Sequence, residues 1–338
     1  MNFLRLALVL VVLVSTEAHA TRKTDVIHFE NGDKLTGEIK SLNGGILQLS
    51  TDAMGTINIE WPQIARIESI YYYEFRLSSG ERHFGSLGES KKDRQIAVLN
   101  PLRNQELAAD ELVEIRPIEE DWVDRLDVYV SLGYQFTSAS SVSQTSFNTT
   151  VGYEDENTRN QLTGRGTNTQ SQGDSSNSNR YDINRATWSN RSDWFRTIFA
   201  NYEDNDELAL NYRIGAGGGL GRYWIDNNQM RWIGISGLQV INEKAAGATE
   251  SQEVELFLNT TFATWKFTAP ELDVDLRLSL YPSVTDAGRL RTDSSVRVRW
   301  EIIDDLSLDI SAWATSDNRS ESGENYDYGI TTGVGWEY

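Results

Sequence analysis

The strongest constraint on this chain is a period of two in side-chain character, running from about residue 125 to the end and sharpest in the last stretch. Read back from the end, Tyr338, Trp336, Val334, Thr332, Ile330, Tyr328 and Tyr326 share one parity, while Gly335, Gly333, Thr331, Gly329 and Asp327 share the other. Successive side chains of a strand point to opposite faces, so this strand has one aromatic and apolar face and one small and polar face. Two architectures accommodate it. One is the last strand of a soluble sandwich. The other is a closed barrel in a bilayer, where the final strand pairs with the first and no backbone edge is left unsatisfied.

The preceding residues favour the barrel. Alternation predicts strands near 126–136, 143–153, 158–169, 179–189, 193–202, 207–220, 229–240, 252–267, 271–281, 289–302, 305–315 and 325–338. That is about twelve (10–12), an even number, as single-chain bacterial barrels have. Connections after odd-numbered strands read as longer and polar, as at Gln170–Asn177 and Ser316–Gly323. Those after even-numbered strands read as tight, as at Ser189–Ser192 and Ile303–Asp305. Trp122, Trp188, Trp194, Trp224, Trp232, Trp265, Trp300 and Trp336 all fall near the tight-turn end, where an indole suits a membrane interface. Near 158–189 the pattern is poorer. Gly164 and Gly166 weaken one strand, and Arg185 shares parity with Tyr181 and Ile183, which a bulge or a hairpin standing clear of the bilayer would explain.

The first twenty residues read as a secretory signal (1–20): Arg5, an apolar run from Leu6 to Ser15, and Ala18-His19-Ala20 as a small-x-small cleavage site. Residues 24–70 and 71–118 then repeat with an offset of 48. Asn31-Gly32 matches Ser79-Gly80, Gly37 matches Gly85, and Ile64–Ile67 matches Leu112–Ile115. Two small tandem β-barrel modules are expected there, with the larger barrel over 122–338. The opening hairpin Phe29–Ile39 resembles that of Sm-like or SH3-like small barrels. RNA binding is not expected, because the chain carries a net charge of −19 and lacks a basic, aromatic-studded loop. This region is instead expected to offer a surface to a periplasmic partner.

The closing residues Thr332–Tyr338, with Gly333, Trp336 and Tyr338 at the key positions, resemble the outer-membrane assembly signal, with Tyr in place of the commoner Phe. With the leader, the repeat and the barrel length, the chain resembles the DUF481 family of salt-induced outer-membrane proteins. That resemblance implies a cell outer membrane location, the amino-terminal module in the periplasm, and the barrel assembly machinery and outer-membrane lipid as partners. It implies no established activity.

For chemistry, the inward parity offers Asp273, Asp275 and Arg277 on one strand and Arg291, Arg297 and Arg299 on its neighbour. Opposite charges on adjacent antiparallel strands can pair across the lumen wall, or they can form a charged constriction that selects solutes in a porin-like channel. Both readings stay open. No enzymatic activity is expected. The three histidines are His19, His28 and His83, so none lies in the barrel to activate a serine as barrel lipases and deacylases require. Cysteine is absent, and no cofactor or metal site is expected. The three functional readings are a structural or stress-related barrel, a narrow channel for small solutes, and a soluble periplasmic β-protein binding a partner.

Overall fold

The computed structural model describes residues 23–336, apart from 91, 102, 119–121, 123–124, 139–140, 156, 172–173, 189–192, 207–208, 248, 268–270, 304–305 and 320–324. The leader and Tyr338 lie outside the described residues. The described chain is all-β, in two sheets.

The amino-terminal sheet has nine strands: β1 (Asp25–Phe29), β2 (Lys34–Asn43), β3 (Ile46–Thr51), β4 (Gly55–Glu60), β5 (Ile64–Leu77), β6 (Arg82–Gly88), β7 (Gln95–Leu99), β8 (Gln105–Ala108) and β9 (Leu112–Pro117). Where two tandem barrels were expected, these strands make one small barrel-like sheet in the order β4-β3-β2-β1-β5-β6-β7-β8, with β9 pairing to β2 and β5. Strand β5 runs unbroken through 70/71, so its first half closes one repeat and its second half opens the next. The pairing register recurs 48 residues on. Phe29 faces Ile64 and Val26 faces Glu68, while Leu77 faces Leu112 and Glu74 faces Arg116.

The turns recur in the same way. Gly32 donates to the Phe29 carbonyl at 3.0 Å and Gly80 to the Leu77 carbonyl at 2.9 Å. Both glycines are left-handed, at φ 89° and 80°. Asn31 is not at positive φ; its carboxamide oxygen instead accepts from the Asp33 amide at 3.0 Å. The turn is therefore a longer loop closed by a left-handed Gly rather than a two-residue Asn-Gly hairpin.

One core serves both halves. Ile27, Ile39, Leu47, Trp61, Ile67, Phe75, Ile96, Leu112 and Ile115 belong to a single buried cluster. Two hydrogen bonds join residues 48 apart: Trp61 Nε1 donates to the Ala109 carbonyl at 2.8 Å, and the Tyr73 hydroxyl donates to Asp25 at 3.0 Å. Matching positions of the repeats thus touch each other, as they do around a local two-fold axis.

The second sheet has twelve antiparallel strands in sequence order: β10 (Leu126–Thr137), β11 (Val142–Glu154), β12 (Thr158–Ser171), β13 (Asp174–Trp188), β14 (Trp194–Asn205), β15 (Leu210–Asp226), β16 (Met230–Ala245), β17 (Ser251–Thr264), β18 (Glu271–Pro282), β19 (Leu290–Ile303), β20 (Leu306–Asp317) and β21 (Tyr326–Trp336). Two expectations change. The stretch 170–177 is not a long loop, since β12 and β13 pair up to Ser171↔Asp174. Nor is there a bulge in this hairpin; the register runs unbroken from Thr158↔Thr187 to Ser171↔Asp174. Closure also differs from expectation. Among the described residues β10 pairs with β11 and β21 with β20, and no ladder joins β10 to β21.

Along its middle, β15 has only glycine on its inner face. Gly215, Gly217, Gly219 and Gly221 all point inward, and a Cβ on Gly217 would lie 2.7 Å from the Phe199 ring. Over this strip Phe199 of β14 and Phe257 of β17 meet edge to face at 5.3 Å between centroids, across two intervening strands. The outer face is apolar: Leu272, Leu276 and Leu278 on β18 and Ile310 on β20 are exposed. Among the described residues, no helix is long and apolar enough to cross a membrane.

Candidate functional site at the lumen and its base

The amino-terminal sheet sits against the tight-turn end of the twelve-stranded sheet. Its contact is a cluster of charges drawn from both. Arg76 on β5 is at the centre, its side chain 8% exposed. It bonds Glu114 of β9 at 2.7 Å and reaches Asp226 at the end of β15, which is 3% exposed. Asp226 also holds Arg231 of β16 at 2.8 Å. Glu114 extends to Arg159 of β12 at 3.2 Å. Glu74 binds Arg82 at 2.8 Å and Arg116, and Arg116 crosses to Glu154 of β11 at 2.9 Å.

The aromatic lining completes the seat. Arg82 and Arg159 lie over Trp188, each at 5.6 Å, and Arg76 lies over Tyr223 at 5.1 Å. At the edge, the left-handed turn Gly44-Gly45 packs on Trp265, and a Cβ on Gly45 would sit 2.8 Å from the Asn228 carbonyl. Glycine is required there by both backbone sign and approach.

The electrostatics follow from this burial. Desolvation disfavours the Glu114 carboxylate, but Arg76 and Arg159 beside it outweigh burial and hold its carboxyl well below the usual carboxylate range. Burial pushes the Arg82 guanidinium down, against the pull of Glu74. Within the module, burial pushes the Asp25 carboxyl up, although Ser69, the Ile39 amide at 2.6 Å and Tyr73 all donate to it.

Of the lumen residues expected from sequence, β18 and β19 place Asp273 opposite Arg299 and Asp275 opposite Arg297. The ion pairs formed are loose, with Arg297–Asp275 and Arg299–Asp309 both at 4.0 Å and all four side chains about half exposed. Arg277 faces Ser295. Arg291 turns instead to β17, where it grips Glu255 through two bonds of 2.9 and 2.7 Å. Glu255 is 1% exposed and also accepts from Gln239 at 2.7 Å. Beside them Arg289 joins Glu253 and Asp317. Gly333 faces Asp309 and Trp336 faces Leu306 on the outermost ladder. Among the described residues no group of three or more His, Asp or Glu side chains is placed to hold a metal ion.

A family model described as "Protein of unknown function, DUF481" matches residues 130–338. The chain belongs to the DUF481 family. No curated protein matches the chain. Among solved structures, the β domain of the Bordetella autotransporter Brka aligns with 12% identity over 63% of this chain and 98% of its own, at a TM-score of only 0.30.

The DUF481 match begins inside β10, so the base network joins family residues to a domain outside the match. Sequence reasoning missed that network because its partners are far apart; Arg76 and Asp226 are 150 residues apart. Glu253 and Glu255 were within reach, since they share the inward parity of β17. The tryptophans divide more finely than expected. Trp194, Trp224, Trp232, Trp300 and Trp336 are exposed on the outer face, whereas Trp188 faces inward against Phe195 at 5.7 Å and Trp265 packs on the module. Chemically, the site is a charge-paired, largely buried joint below and a charged, partly open wall above.

Proposed function

We propose that this DUF481 chain is an outer-membrane β-barrel protein of structural or stress-related role, without enzymatic activity. Its periplasmic amino-terminal domain closes the base along β11 to β17. The observation that carries the reading is the coincidence of two features at one end. The outward tryptophans collect there, below the apolar outer face of strands such as β18 and β20, and there too the amino-terminal domain is seated by buried ion pairs. An apolar outer face with an aromatic rim suits a bilayer, and a charge-paired joint suits a lasting seal better than a passage. Lipid and the barrel assembly machinery are the partners this reading supplies, the latter through Gly333, Trp336 and Tyr338.

Fractionation and conductance test it. The protein should sediment with outer membranes, change gel mobility on heating, and give no conductance steps in planar bilayers. Regular conductance steps altered by charge swaps at Arg297 and Arg299 would instead establish the narrow channel, which the half-exposed inner charges of β18 and β19 favour. A monodisperse form purified without detergent would replace both with a soluble periplasmic protein.

A further inference from the structure

Three outward arginines stand together near the base of β13, β14 and β15. Arg185 faces Ile198, two residues from Arg196. Arg196 in turn faces Leu220, two residues from Arg222. Diagonal neighbours of this kind lie roughly 7–8 Å apart, so three guanidinium groups can converge on one point. All three are exposed. Among the described residues Arg185 and Arg196 make no hydrogen bond or ion pair, and Arg222 is stacked on Trp194 at 5.4 Å and Trp224 at 5.7 Å.

Tilted strands shift equal depths along the sequence from one strand to the next. The tryptophans step downward from Trp194, opposite Arg222, to Trp224. The arginines step in the same sense, just inside that rim. Around Arg185 and extending along β12, β13 and β14, Tyr153, Asn160, Leu162, Ile183, Arg185 and Ile198 border an outward groove of about 490 Å³.

A cluster of like charges facing a bilayer is destabilising unless an anion accompanies it. We infer that Arg185, Arg196 and Arg222 bind the phosphate of an anionic phospholipid in the leaflet next to the module, with one acyl chain in the groove that Arg185 borders. Guanidinium forks match phosphate oxygens two at a time, the Trp194–Arg222–Trp224 stack fixes one fork in place, and Leu162, Ile183 and Ile198 supply the apolar wall. This rests on the membrane reading above.

The test uses the full chain in nanodiscs of mixed phosphatidylglycerol and phosphatidylcholine, released for native mass spectrometry. One phosphatidylglycerol should be retained in preference to phosphatidylcholine. The triple variant R185Q/R196Q/R222Q should lose that preference by roughly tenfold or more, the scale of charged hydrogen bonds. Heat-modifiable mobility reports whether the triple variant folds; R185Q alone, with a smaller loss, serves if it does not. Arg185→Lys keeps the charge without the fork and should fall between. Normal insertion with no preference, or a preference the triple variant retains, overturns the site and leaves the barrel reading intact. A chain that never inserts overturns both.

Discussion

Arg76→Ala is the sharpest probe of how the two sheets are joined. The side chain is 8% exposed and faces Glu114 and Asp226, themselves 19% and 3% exposed. Removing one partner of a buried pair strands the other charge and typically costs about 3–5 kcal/mol. Here two carboxylates lose a partner, although Arg159 still serves Glu114 and Arg231 still serves Asp226. The lower part of that range, about 3 kcal/mol, is therefore expected. At about 1.4 kcal/mol per decade, opening of the joint should become roughly a hundredfold more frequent. Hydrogen exchange of the amides of β9 and of the turn at 227–229 measures this directly, with the barrel's heat-modifiable mobility unchanged as a control. Arg76→Met should recover part of the loss, because it fills the space while Arg159 and Arg231 still neutralise the two carboxylates. If Arg76→Ala changes exchange by less than about threefold, the ion pairs do not hold the module and the reasoning fails.

Three other outcomes follow from the same geometry. Asp25 has a folded-state pKa raised by burial, so the folded module holds its proton more tightly than the unfolded chain. Module stability should therefore rise as pH falls from neutral through that pKa, levelling off below the unfolded value, and Asp25→Asn should flatten this segment in urea titrations. A Cβ on Gly221 would collide with the end of the Phe195 ring, whereas one on Gly219 would collide with the Ser236 carbonyl. Both Gly→Ala changes should destabilise the barrel by about 1–3 kcal/mol, but Phe195→Ala should relieve the first and not the second in melting experiments. Trp61→Phe removes the donor to the buried Ala109 carbonyl and should cost about 1–3 kcal/mol of module stability by denaturant titration.

How much of this was legible depends on where water lies. Strands such as β18 and β19, apolar on one face and charged on the other, announce themselves through period two, and their sequence boundaries fall within a residue or two of the observed ones. The stretch 170–177 did not, because Gln, Ser, Asn and Asp occupy both faces of the hairpin there. With no apolar side there is no alternation, and Ser-Gly-Asp composition reads as loop. Arg185 broke the pattern for a different reason, since it faces outward near the aromatic rim, where a charge is tolerated. The joint at Arg76 depends on pairings between remote segments, which local periodicity does not encode.

Strand β5 carries one last consequence. Because Ile64–Leu77 finishes one repeat and begins the other, no cut in the chain yields either half with all its strands. A truncated single copy would lose part of its sheet and expose Trp61 or Phe75. The amino-terminal region should therefore melt in a single transition, and anyone fusing a reporter to it has the loop tips to choose from but not the boundary that the repeat itself suggests.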